Sequence, residues 1–288
     1  MSQEFLPEIV NWAESRAEVR AVVLTGSRAR DDGTADDLSD IDIELFLEQP
    51  EPFSRSTDWL SEIGSVWVSL PLQTEDGYPT RLVIFQGGVK VDFTLYPLDV
   101  LRRMVESGRS PDLYSRGYRV LVDKDGLAAS IASRRARKDA ATKPTEEQFR
   151  ALVEEFWFEA YHVAKYLRRE DLWAAKFRDW GLKELLRTMV EWHAKSVHGW
   201  PYETWYLGLR MRDWAEPEVW ERLFSVFGRF DAQDSWQALA ETMDLFSEVA
   251  KQVSGCMHYR YPDGVEDNLR SYIDSLLPTP RPRRGRRR

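Results

Sequence analysis

Thr25-Gly-Ser-Arg-Ala29, followed after a polar stretch by Asp40-Ile-Asp-Ile43, is the segment that decides how this chain folds. Val22-Val23-Leu24 ahead of it is apolar, β-branched and halted by Gly26, the pattern of a buried strand. Asp40 to Leu47 alternates, with Ile41, Ile43, Leu45 and Leu47 on one face and Asp40, Asp42 and Glu44 on the other. Asp40 and Asp42 therefore present both carboxylates to one side. Gly26-Ser27 after a buried strand is placed to open a helix, where backbone N–H groups and the Ser27 hydroxyl would meet a phosphate and Arg28 would add a charge. A third acid, Asp92, lies in the run Val89 to Tyr96, on the polar face shared with Lys90 and Thr94. That run follows Arg81 to Gln86 through Gly87-Gly88, a two-residue link that favours a hairpin because both positions accept positive φ.

Three carboxylates beside a phosphate cradle are what phosphoryl or nucleotidyl transfer needs. Mg²⁺ prefers oxygen ligands and bridges to substrate phosphates, and a pair of ions held about 3.5–4 Å apart stabilises both the attacking and the leaving oxygen. An Asp-x-Asp on a strand is, taken alone, also an ordinary solvated face. The order of the motifs, with a third aspartate on a paired strand, separates the two readings. Like charges gathered on a sheet also cost stability that a cation removes.

Around this centre, Phe5, Ile9, Trp12 and Ala13 predict a helix over residues 4–17, Trp59, Leu60 and Ile63 a short one, and Leu98 to Glu106 another. Tyr118 to Val122 reads as a further strand. From Thr145-Glu-Glu-Gln148, a capping pattern, the sequence is helical nearly throughout, with stretches near 171–197, 216–228, 233–254 and 266–277. The expected fold is α+β: a nucleotidyltransferase domain over 1–135 with a small mixed sheet flanked by helices, then an all-α helical bundle domain over 136–277. The basic residues Arg134, Arg135, Arg137 and Lys138 read as a solvated helix or linker, and Pro278 to Arg288 as a disordered basic tail.

The net charge is −8, and six arginines at the very end (Arg281, Arg283, Arg284, Arg286, Arg287 and Arg288) mask a body more acidic still. Such a body repels nucleic acid and attracts cations, so no nucleic-acid partner is expected. Neither a signal peptide nor a membrane span of roughly 20 apolar residues is read from the sequence. The one cysteine, Cys256, is read as a small core residue, and the cell compartment as a reducing cytoplasm. A monomer is expected.

In the helical half, Lys183 and Arg187 are four apart and share a helix face, as candidates to hold a triphosphate or as an exposed basic face. Glu154, Glu155 and Glu159 form an acidic group that would suit a cationic acceptor, or be plainly solvated. Trp157, Trp173, Trp180 and Trp192 are read as core rather than a ligand cage. His162, His193, His198 and His258 have no metal spacing and are read as structural or surface residues.

The pattern Gly26-Ser27, Asp40-x-Asp42 and Asp92 resembles the nucleotidyltransferase superfamily with the polymerase-β-like fold, and within it the aminoglycoside 6-adenylyltransferases, which modify streptomycin. Lys90-Val-Asp-Phe-Thr-Leu-Tyr-Pro-Leu98, Leu121-Val-Asp-Lys-Asp125, Glu155-Phe-Trp157, Val163-Ala-Lys-Tyr-Leu167 and Tyr259-Arg-Tyr-Pro262 extend the resemblance over residues 1–277. It implies that Asp40 and Asp42 bind Mg²⁺ and ATP, that Ser27 meets the outer phosphates, and that Asp92 is a metal ligand or the base for the acceptor hydroxyl. The implied reaction is attack on the α-phosphate of ATP, leaving AMP on a cationic small-molecule acceptor. One departure stands out: Trp205-Tyr-Leu-Gly-Leu209, with Arg210 and Arg212 after it, replaces a lysine-bearing Gly-Lys segment of the family. It leaves open a different small-molecule, protein or RNA acceptor. A non-catalytic nucleotide-binding module is the remaining alternative, opposed by the presence of all three carboxylates.

Overall fold

Asp42 and Asp92 meet because two strands far apart in sequence pair in parallel. The computed structural model describes residues 5–30, 33, 35–111, 113–114, 117–131 and 143–277. The chain divides into two compact units, Met1–Arg137 and Lys138–Arg288. The first holds α1 (Leu6–Ser15), β1 (Val19–Thr25), β2 (Ile41–Leu47), α2 (Glu51–Arg55), α3 (Leu60–Ile63), β3 (Val66–Gln73), β4 (Pro79–Phe85), β5 (Val89–Pro97), α4 (Leu98–Ser107) and β6 (Arg119–Asp123). They build one sheet in the order β3-β4-β5-β2-β1-β6. Among the described residues only β2 and β5 pair in parallel, and the other neighbours are antiparallel. The mixed sheet expected from the sequence is therefore borne out.

Each face of the sheet is buried differently. Ile41, Ile43 and Leu45 of β2 and Val91, Phe93 and Leu95 of β5 pack with Ile9 and Trp12 of α1, Phe53 and Trp59 into one core. On the opposite face, Phe46 packs with Leu98, Leu101 and Met104 of α4 and with Tyr114. Along that second face β2 runs from buried Phe46, through buried Glu44, to half-buried Asp42. The helical cover thus ends where the acids begin.

The second unit contains α5 (Glu146–Arg168), α6 (Leu172–His198), α7 (Met211–Trp214), α8 (Pro217–Val226), α9 (Ala232–Met257) and α10 (Asp263–Ser275). Phe156 of α5 stacks on Phe246 of α9, ring centroids 3.5 Å apart, amid Trp157, Leu182, Leu186 and Val249. The capping pattern at Thr145 forms as the sequence implies: the Gln148 N–H donates to Thr145 Oγ1, and the Thr145 N–H to Gln148 Oε1.

Several expectations need correction. β3 went unread, because Val68, Leu70 and Leu72 are largely exposed apolar residues on an edge strand and Pro71 interrupts its pattern. Trp173 and Trp180 are not core. They are 82% and 64% exposed, on the α6 face that carries exposed Phe177, while Ala175, Leu182 and Leu186 occupy the buried stripe. Trp157 is fully buried, as expected. Cys256 is exposed rather than core, since Val253 and Met257 take the inward positions of that turn. The basic residues 134–138 and the tail 278–288 lie outside the described residues. No helix among the described residues is long and apolar enough to cross a membrane.

Thr145→Ala removes a side-chain cap from the 23-residue α5. It should lower the unfolding free energy of the helical unit by about 1 kcal/mol in urea denaturation followed by circular dichroism; an unchanged midpoint would show the cap to be energetically idle.

Candidate active site

The parallel register pairs Ile41 with Val91, Asp42 with Asp92 and Ile43 with Phe93. Since side chains alternate, directly opposed Asp42 and Asp92 point to the same face. Asp40 stands one residue ahead of β2, so it belongs to the incoming loop rather than to the strand. Burial, and the charges of Asp92 and Asp40 beside it, push the Asp42 carboxyl up to about 6.

Lys90 Nζ lies among these acids, donating to Asp40 Oδ2 at 2.6 Å and Asp92 Oδ2 at 2.9 Å. Burial pulls the ammonium's pKa down, but these hydrogen bonds and the charges of Asp92 and Asp40 together outweigh it and leave it raised. Asp92 Oδ1 is buried and has no hydrogen-bond partner among the described residues. As the side chains stand, no group of three or more His, Cys, Asp or Glu among the described residues is arranged to hold a metal ion. The donor chemistry nonetheless suits Mg²⁺: hard carboxylate oxygens on two paired strands, one of them an orphaned buried oxygen.

Gly26 closes the site from the β1 side, with φ +68°. A Cβ there would fall 1.9 Å from Asp42 Oδ2, so the backbone and the carboxylate approach as closely as they do only because the residue is glycine. The expected helix after Gly26 is a single 3-10 turn, Ser27–Ala29. So short a turn has little dipole, and what it leaves for an anion is the Ser27 hydroxyl and local N–H groups. Arg28 donates to the carbonyls of Ser39 at 2.8 Å and Asp36 at 2.9 Å. It thereby staples the loop that delivers Asp40.

Behind Asp42, Glu44 accepts a hydrogen bond from the Tyr114 hydroxyl. Burial raises the Glu44 carboxyl to about 7 and holds the Tyr114 hydroxyl far above its ordinary range. Lys90, Glu44 and Tyr114 were not singled out from the sequence. The alternation that placed Asp92 also places Lys90 on its face, and that signal was readable. Nothing local links Tyr114 to Glu44.

In the second unit, Lys183 and Arg187 do not form an open basic face. Lys183 is 5% exposed and donates to Asp179 Oδ1 at 2.6 Å and Thr242 Oγ1 at 2.9 Å, and burial lowers its pKa. Arg187 is half-buried between Glu184 and Glu191. Glu154 and Glu155 are exposed, Glu154 beside Arg150, while Glu159 pairs with Arg178 of α6. The departing segment forms a 3-10 turn, Tyr206–Gly208. Leu207 and Arg210 there adopt positive φ, and Tyr206, Leu207 and Leu209 are exposed. Strain of this kind tends to gather at ligand-contacting loops.

Two substitutions test these placements. Gly26→Ala should destabilise the first unit by on the order of 1–3 kcal/mol, through its positive φ and the collision with Asp42; wild-type stability in denaturant would refute the close approach. Lys183→Met should destabilise the second unit by on the order of 3 kcal/mol, because it strands the carboxylate of Asp179. A loss of nucleotide affinity at unchanged stability would instead place Lys183 against ligand.

Comparison with known proteins closes the case for the family. A family model described as streptomycin adenylyltransferase matches residues 1–276. The aminoglycoside 6-adenylyltransferase of Campylobacter jejuni is 27% identical over 273 residues, covering 92% of each chain. That of Bacillus subtilis is 25% identical over 285 residues, covering 95% of this chain and 97% of its own. That of Staphylococcus aureus is 26% identical over 281 residues, covering 94% and 96%. A crystal structure of an aminoglycoside 6-adenyltransferase from Bacillus subtilis aligns with a TM-score of 0.47 at 22% identity, over 96% of this chain and 98% of that one. With a family model matched from residue 1 to residue 276, the chain belongs to the streptomycin adenylyltransferase family.

Proposed function

We propose that this protein is a Mg²⁺-dependent adenylyltransferase that moves AMP from ATP to a hydroxyl of a streptomycin-like aminoglycoside and releases pyrophosphate. Family membership and the activity named for the three relatives support the reaction class. The observation that carries it in this chain is the opposed pair Asp42 and Asp92 next to Gly26-Ser27.

In this reading Asp40, Asp42 and Asp92 hold Mg²⁺, with Ser27 and the N–H groups after Gly26 on the outer phosphates. The ion, when bound, supplies charge neutralisation on the triphosphate and the leaving pyrophosphate. The acceptor oxygen bonds to the α-phosphorus as the bond from that phosphorus to the oxygen bridging the α- and β-phosphates breaks. The proton leaves the acceptor hydroxyl for a carboxylate, and Asp92 is the one assigned to take it. The protein's contribution is to align these groups and to exclude water from them. Arg28 serves indirectly, by fixing the loop that carries Asp40.

The first unit acts as the nucleotidyltransferase domain and the helical unit as the substrate-binding domain. Arg187 is assigned to the triphosphate, with Lys183 supporting its helix from inside. Glu154, Glu155 and Glu159 are assigned to the cationic groups of the acceptor. A second reading keeps the chemistry and changes the acceptor; it is raised by the departing segment Trp205 to Leu209.

Incubation with ATP, Mg²⁺ and a panel of aminoglycosides should release pyrophosphate with at least one of them. Silence across the panel, together with transfer of labelled AMP to another compound in a lysate, would select the second reading. Asp42→Asn should cut the rate by roughly 10²-fold or more while the protein stays folded; near-normal turnover would remove the carboxylate cluster from the chemistry.

A further inference from the structure

Lys90 has no role in the reaction set out above, yet it sits at the centre of the site. It lies on β5 two residues before Asp92, so it shares that residue's face. One position beyond the Ile41–Val91 pair, it comes level with Asp40. On its other side its register partner is the apolar Ile84 of β4. Its ammonium bridges Asp40 Oδ2 at 2.6 Å and Asp92 Oδ2 at 2.9 Å. A monovalent cation on a flexible four-carbon stem thus occupies oxygens that a divalent ion would need.

We propose that Lys90 is a resident counter-ion that exchanges places with the divalent ion: it holds Asp40 and Asp92 together while no divalent ion is bound, yields them when Mg²⁺ binds, and turns its ammonium to the triphosphate. This rests on the reaction proposed above. Three physical points carry it. First, Asp42 and Asp92 share one sheet face and the loop brings Asp40 beside them, and such like charges need a cation whenever the metal is away. Second, the side chains of Lys90, Asp40 and Asp92 are 35%, 44% and 24% exposed, so water screens the bridge and its exchange is not blocked by packing. Third, an ammonium left beside a divalent ion is repelled, and a triphosphate bound to that ion offers it a new partner of opposite charge.

The test uses the full chain and needs no acceptor. Calorimetric titration with MgCl₂ alone should show Lys90→Gln binding Mg²⁺ at least about threefold more tightly than wild type, because the competing charge is gone. Titration with Mg²⁺ and a non-hydrolysable ATP analogue should show the same variant binding about tenfold more weakly, with Lys90→Arg restoring most of the loss. Unchanged or weaker Mg²⁺ binding, or unchanged analogue binding, in Lys90→Gln overturns the proposal. A measurement on wild type guards against a variant that does not fold. Amine-reactive labelling of Lys90, followed by mass spectrometry, should speed up on adding Mg²⁺ and slow down on adding the analogue as well. Labelling indifferent to Mg²⁺ overturns the exchange. A wild-type protein that binds neither Mg²⁺ nor the analogue sinks the proposed reaction too, whereas normal binding with an indifferent Lys90 sinks this inference alone.

Discussion

Two carboxylates of the same sign stand opposite each other across the central strand pair, and the surrounding structure is built to tolerate their repulsion. Asp42 faces Asp92 in strict register, on strands whose other faces are locked into a core by Ile43 and Phe93. Neither acid can retreat by slipping one residue, since a slip of either strand would drive its own acid into that core. The repulsion is met locally instead. An ammonium bridges two of the acids, a glycine lets backbone come up against the third, and burial raises the Asp42 carboxyl. The fold supplies rigidity here, and the site uses it.

The helical unit handles buried charge by another route, that of saturation. Glu266, 6% exposed, accepts from Ser247 at 2.8 Å, Lys251 at 2.9 Å and Arg270 at 3.2 Å. Lys183 is paired on both sides by Asp179 and Thr242. Removing one member of such a group leaves another charge stranded in a poor solvent, so these networks hold the bundle in one arrangement. The contrast with the first unit is instructive: there a buried carboxylate oxygen, Asp92 Oδ1, is left without a partner.

What the sequence disclosed follows from periodicity. Alternation in β2 and β5 was enough to place Asp42 and Asp92 on open faces, and the Gly87-Gly88 link to join β4 with β5. Helical spacing from Thr145 onward located the bundle. Two of the failures share one cause, that spacing shows which residues share a face but not which face is covered. Trp173 and Trp180 are seven apart and do share a face, but the face is exposed. Lys183 is four from Arg187, yet it points into the interior toward Thr242 of α9. The Glu44–Tyr114 bond joins residues 70 apart in sequence, which no local pattern reports. β3 was lost because an edge strand has no need of clean alternation.

The lone parallel pairing in an otherwise antiparallel sheet bears on the order in which the molecule assembles. Antiparallel neighbours such as β4 and β5 are joined by tight turns and can zip up early, whereas Lys90 and Asp40 are 50 residues apart in sequence and must wait for a long loop to close. On loop-closure entropy alone, the acids come face to face after the hairpins. Where like charges meet only late in assembly, their repulsion weighs on the finished fold rather than on its nucleus, and rate–stability coupling then expresses it in the unfolding rate.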